Sequence, residues 1–100
     1  MKKASATKKY RRVSREATEA QGIESGPWAR ASVRAVFYHS QKRRRDDVNS
    51  LAMLKPAYDG MVDAGLLEDD DAAHLTTLGA TFETDREAPR VELTVSRLPE

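Results

Sequence analysis

One hundred residues, 39% hydrophobic and 33% charged, allow a single small domain with little apolar surface to spare. The chain has no cysteine, which excludes disulfides and thiolate metal sites. No apolar run reaches the length of a signal-peptide core or a membrane span, so a soluble, cytoplasmic protein with no membrane partner is expected. The formal net charge of +1 hides a split: residues 1–45 carry 13 Lys/Arg against 3 acids, and residues 46–100 carry 4 against 13. Such asymmetry points to a polyanion partner for the basic half, or to a basic tail folded back on an acidic body.

Residues 1–12 are rich in Lys, Arg, Ser, Thr and Ala, and read either as a flexible basic segment or as the opening of a first helix. From about Lys8 to Gln21 the residues tolerate a helix, and Tyr10, Val13 and Ala17 form a thin apolar stripe. Gly22 is a stop, and Gly26-Pro27 marks a loop. Over 31–38, Val33, Ala35 and Phe37 alternate with Arg34, Val36 and Tyr38, which predicts a strand. A helix is predicted over about 49–64, because Leu51, Leu54, Tyr58, Met61 and Gly65 repeat at helical spacing. Asp47 is placed to cap its start and Gly65 suits its C′ position. Pro56 requires either that the true start lies close to it or that the helix kinks. Residues 73–83 read as a strand weakened by Gly79, and 90–96 as a strand with Val91, Leu93 and Val95 inward. These last two are expected to pair as a hairpin. The order predicts one α+β domain over residues 1–100, a small mixed or antiparallel sheet with two helices on one face.

The chemistry concentrates between Arg43 and Leu75. Arg43, Arg44 and Arg45 abut Asp46 and Asp47; Asn49 and Lys55 follow, and Asp69-Asp70-Asp71 closes the stretch. Carboxylates hold divalent cations, and Arg and Lys hold phosphates, so the interleaving suggests metal-dependent chemistry on a nucleic acid. Each element also has a plainer reading. Lys55 and Asp59 are spaced as a surface ion pair, worth under ~1 kcal/mol. The arginines can be a solvated loop, or can guide a phosphate backbone together with Lys8, Lys9, Arg11 and Arg12. Asp63, Glu68, Glu83, Asp85 and Glu87 read as solvated charges. Trp28 and Phe37 read as core, and Tyr10 as either packing or a base-stacking ring. His74 lies close to the acidic cluster; His39 has less claim to a site. A helix of about 16 residues spans about 24 Å, which would separate Asp46 from Asp69 and Asp70. Either the Pro56 region folds the chain back, or one subunit's acidic turn meets the other's in a dimer.

Arg44-Arg45-Asp46-x-x-Asn49, then Leu54-Lys55, Asp59-Gly60, Ala64-Gly65 and Asp69-Asp70, followed by strands, resembles the RusA family of Holliday-junction resolvases, many of them encoded by phages and prophages. The likeness is closest over 42–75 and looser over the strands. It implies a homodimeric endonuclease of DNA recombination and repair that uses Mg²⁺, with Mn²⁺ as a substitute. Each subunit would place one of two paired nicks in a four-way DNA junction. Carried over by position, Asp46, Asp70 and Lys55 are the catalytic residues. Asp46, Asp70, Asp69 and Asp47 are the metal-binding set, and Asn49 joins the arginines in binding DNA. The family's second aspartate falls here on Val48, with Asp47 beside it and Asp59 as another source of the oxygen. Family members also carry a strand before the first helix, and this chain opens almost at the helix. The alternative is therefore a catalytically weakened or inactive protein that binds branched DNA. A third reading is a small phage interaction protein whose basic arm contacts its own acidic half.

Overall fold

A computed structural model describes residues 2–23, 26–41 and 50–99. The elements in order are α1 (Lys2–Ala20), β1 (Ala31–His39), α2 (Leu54–Asp63), β2 (Leu75–Thr84) and β3 (Arg90–Arg97). Among the described residues this is the expected α+β class: two helices and a three-stranded mixed sheet.

α1 starts six residues before the predicted Lys8, because the Lys/Ala/Ser/Thr run contains no Gly or Pro to stop it. It ends at Gly22, whose φ of 74° suits the C-terminal cap. α2 is shorter than predicted and is capped by Met53 with no side-chain hydrogen bond; Asp47, the expected cap, lies outside the described residues. Pro56 is the third residue of α2, where a missing N–H costs no intrahelical bond, and this settles the question it raised. The helix closes as a Schellman motif: the Gly65 N–H donates to the Val62 carbonyl at 3.0 Å, and the Leu66 N–H to the Met61 carbonyl at 3.1 Å. Gly65 holds φ at 86° there. Leu66 and Met61 both enter the core, which supplies the apolar contact typical of that motif.

The hairpin expectation is overturned. The strand order is β2-β1-β3, with β1 parallel to β2 and antiparallel to β3. β1 takes the centre because it is the strand with a fully apolar face: Ala31, Val33, Ala35 and Phe37 are all buried. The connection through α2 is long enough to let β2 run parallel to β1. β3 then reaches the only remaining edge by passing over the end of β1. Asp85 builds that passage. Its N–H donates to the His39 carbonyl at 2.8 Å, and its carboxylate accepts from the N–H groups of Glu87 and Ala88. It also accepts from Arg90 at 2.8 Å. Asp85, expected as a solvated charge, is a turn-forming residue. Gly79, at φ 98°, takes up a bulge where the β1–β2 register shifts between Val33 and Ala35.

The core joins Ala31, Val33 and Leu75 of the sheet to Met61, Leu66 and Leu67. Trp28 packs against it half-buried, and its N–H and carbonyl bond to Leu66 and Glu68. Phe37 is buried and stacks on Phe82, centroids 5.3 Å apart, with His39 stacked 6.1 Å from Phe82. His39 is thus a packing residue, and its Nε2 lies 3.2 Å from the buried Ser50 hydroxyl. That contact sets Ser50 against the end of β1.

α1 rides on α2. Gly60 makes this possible: a Cβ there would meet the Arg11 carbonyl and approach Ser14 Cβ to 2.7 Å. The Ser14 hydroxyl donates to the Ala57 carbonyl at 2.6 Å. Arg11 grips Asp63 through two bonds of 2.6 and 2.8 Å. The Asp-Gly pair of the sequence therefore has a packing cause for its glycine.

Candidate metal and nucleic-acid site

Lys55, Asp59 and Asp63 occupy successive turns of one face of α2, four residues apart. The chain leaving α2 doubles back along this face. As a result Asp70 lies beside Lys55; the expected separation of Asp69 and Asp70 from Asp46 involves a residue outside the described ones. Lys55 Nζ donates to Asp70 Oδ2 at 2.5 Å and to Asp59 Oδ1 at 3.0 Å. The Asp70 side chain is only 10% exposed, whereas that of Lys55 is 70% exposed. Arg11 Nη1 lies 4.0 Å from the other Asp59 oxygen, so one charged row links α1, α2 and the acidic loop.

The three consecutive aspartates divide between two sets of partners. Asp70 faces Lys55. Asp69, Asp71 and His74 each offer one ligand atom, and these atoms lie within 4.8 Å of one another. This cluster can hold a metal ion, and it is exposed or half-exposed. His74 Nδ1 is 2.5 Å from Asp71 Oδ1, and Glu68 lies 3.6 Å from His74 Nε2. The Asp70 backbone N–H donates to Asp69 Oδ1 at 2.7 Å, which fixes how the two neighbours diverge.

The electrostatics follow these contacts. Burial pushes the Asp70 carboxyl up, but the hydrogen bond and charge of Lys55 outweigh it, and the net shift is downward. The Lys55 ammonium is raised, first by its bond to Asp70 and then by Asp59. The Asp71 carboxyl is lowered and the His74 imidazole raised by their mutual hydrogen bond. Arg11 lowers Asp63 in the same way.

The expected site residues sort as follows. Lys55 and Asp70 come together; Asp59, weighed as an oxygen source, joins them. Asp69 turns instead toward Asp71 and His74. Lys8, Lys9 and Arg12 are exposed on α1 and make no ion pair among the described residues. Arg11, expected on DNA, is engaged with Asp63. Tyr10 lines a groove between α1 and the sheet. Arg43, Arg44, Arg45, Asp46, Asp47, Val48 and Asn49 lie outside the described residues. The three-residue spacing from Asp71 already placed His74 at the acidic cluster, and the structure pairs the two; Asp63 as a partner of Arg11 was not expected, since only the helix crossing brings that pair together. Among the described residues, no helix is long and apolar enough to cross a membrane.

No family model, curated protein or solved structure matches the chain.

Proposed function

We propose that this chain is a RusA-like endonuclease that nicks four-way DNA junctions with the help of Mg²⁺ or Mn²⁺, acting as a pair of identical subunits. The observation that carries the reading is Lys55 Nζ held between Asp59 and Asp70. The motif resemblance singles out Lys55 and Asp70, and the fold brings them together from positions fifteen apart in the chain. Two carboxylates converging on one positive centre form a hard-oxygen donor set suited to a divalent cation. Asp69, Asp71 and His74 supply further ligand atoms close by. A bound Mg²⁺ would supply Lewis-acid polarisation of the scissile phosphate and a water of lowered pKa.

The chain's own residues have distinct tasks. Asp70 is kept ionised by Lys55, so it is ready to coordinate a cation at neutral pH. Lys55 reaches solvent while its ammonium stays anchored, so it can turn to a phosphate oxygen and steady the charge that develops there. Lys8, Lys9 and Arg12 add an exposed cationic strip for the phosphate backbone.

The test is cleavage of a synthetic four-way junction, with linear duplex as control, in Mg²⁺ and in Mn²⁺. Symmetric nicks by the wild type, lost in Asp70→Asn and strongly reduced in Lys55→Met, are expected. Tight, salt-sensitive junction binding without nicks in either metal would replace this reading with a structure-selective binding protein. Val48, at the family's second aspartate, favours that second reading.

A further inference from the structure

The sheet has two edges, and they differ. β2 is interrupted by the Leu78–Gly79 bulge. β3 pairs with β1 through eight consecutive residues with no shift of register. Its other side is unpaired among the described residues. A bulge, a proline or a lysine within an edge strand blocks pairing with another chain, and β3 contains none of these. Its inward row, Val91, Leu93 and Val95, is only half-buried. That row forms one wall of an apolar groove of about 810 Å³. Tyr10, Val13 and Ala17 of α1 form the facing wall, with Val13 47% exposed. The stripe on α1 and the inner face of β3 therefore look at each other across space that neither fills.

We infer that β3 is the edge through which a second copy of this chain docks, strand against antiparallel strand, to make a continuous six-stranded sheet. The inference rests on the nuclease reading for its purpose, since paired nicks need paired sites, but its geometry stands apart from it. The strand is self-complementary in one register. A two-fold axis at Leu93 sets Leu93 opposite Leu93, Val91 opposite Val95, Glu92 opposite Thr94 and Arg90 opposite Ser96. All the apolar residues then meet on the groove side, and no like charges face each other on the outer side.

The neighbouring registers fail. An axis at Glu92 opposes the two Glu92 carboxylates. An axis at Thr94 sets Val91 against Arg97. A half-step between Leu93 and Thr94 opposes Arg90 to Arg97 and turns the apolar row of one copy to the polar face of the other. The favoured register also carries Arg97 of each copy to the turn before β3 in the other, which bears Glu87. The axis stands perpendicular to the sheet, so both helical layers lie on one side. The second copy's Val91, Leu93 and Val95 then continue the groove floor under α1, and both Lys8/Lys9/Arg12 strips belong to the same side of the assembly.

The absence of cysteine makes the test specific. Across the axis, Leu93→Cys would bring two Cβ atoms about 4.5–5.5 Å apart, within reach of a disulfide after small adjustment. Under mild oxidation most of this variant is expected to run as a covalent dimer on a non-reducing gel, while Thr76→Cys on the β2 edge stays monomeric. Glu92→Cys mixed with Thr94→Cys places the thiols on the exposed outer face, where folding is not at stake, and should cross-link in the same register. A wild type that sediments as a monomer at the highest attainable concentration would overturn the inference. So would a dimer whose Leu93→Cys form, and whose mixed Glu92→Cys and Thr94→Cys forms, fail to cross-link. Cross-linking equally from Thr76→Cys would also overturn it. A Leu93-linked dimer that never nicks a junction sinks the nuclease reading alone; a nicking enzyme that fails to cross-link sinks the interface alone.

Discussion

Gly60→Ala should destabilise this protein, against the usual sign for a helix interior. At an open helical site, replacing glycine by alanine stabilises by about 1 kcal/mol, because the unfolded chain loses freedom and the helix gains a better former. At Gly60 the added methyl would meet the Arg11 carbonyl, lie 2.7 Å from Ser14 Cβ and 2.9 Å from the Arg15 nitrogen. Two of these are backbone atoms, which cannot turn away as a side-chain tip can. Overpacking of this kind costs about 1–3 kcal/mol. Moving α1 outward also lengthens the Ser14-to-Ala57 hydrogen bond, worth about 1 kcal/mol. The Arg11–Asp63 pair adds little, since Arg11 is half exposed and solvent screens it. The balance is a net loss of about 2 kcal/mol, or roughly 8–16 °C in melting temperature for a domain of this size. Urea unfolding followed by far-UV circular dichroism measures it. A stability equal to or above the wild type would refute the argument, because it would mean that α1 does not seat on α2 through Gly60.

Leu67→Ala removes one of the two largest fully buried side chains and should cost about 2–5 kcal/mol in the same assay; a loss under ~1 kcal/mol would mean the core can close over the gap. Stability should also bend with pH on both sides. Asp63, Asp70, Asp71 and Asp85 have lowered folded pKa values, so their contribution is present above the unfolded value near ~4 and is lost as pH falls through the folded ones. His74 has a raised folded pKa, so its contribution is full below about 6.5 and is lost as pH rises through the folded value. The urea midpoint should peak between the two limbs. Asp70→Asn should soften the acid limb and Asp71→Asn the alkaline one; a midpoint constant from acid to alkaline pH would contradict both. By NMR, His74 should titrate above about 6.5 and fall back toward that value in Asp71→Asn. Trace Mn²⁺ should broaden the His74 ring signals before those of His39, and equal broadening would argue against the Asp69/Asp71/His74 cluster as a metal site.

Local pattern was enough for much of this chain. The period-2 alternation around Val33, Ala35 and Phe37 identified the central strand, and Val91, Leu93 and Val95 do face inward on β3. Gly65 closes α2 because only a residue at ease with positive φ fits there. These features depend on neighbours within a turn or a strand, so they are written in short windows of sequence. The α+β class follows from their order. The resemblance singled out Lys55 and Asp70, but spacing along the chain could not say that they touch. That depends on α2 being ten residues long and on the return of residues 66–70 along its flank. The hairpin expectation failed for a related reason: two adjacent strands with good alternation pair only if no better partner stands between them, and β1 is that partner. The charges tell the same story. Asp63, Asp85 and Arg11 look alike in sequence to any solvated charge, and only the helix crossing and the passage over β1 give each a partner. What the sequence determined by itself is which segments are helix or strand and which faces are apolar, because backbone preference and periodicity are local. Tertiary structure decided which charges meet, since an ion pair or a metal cluster is set by distances between segments that the chain does not specify until they pack.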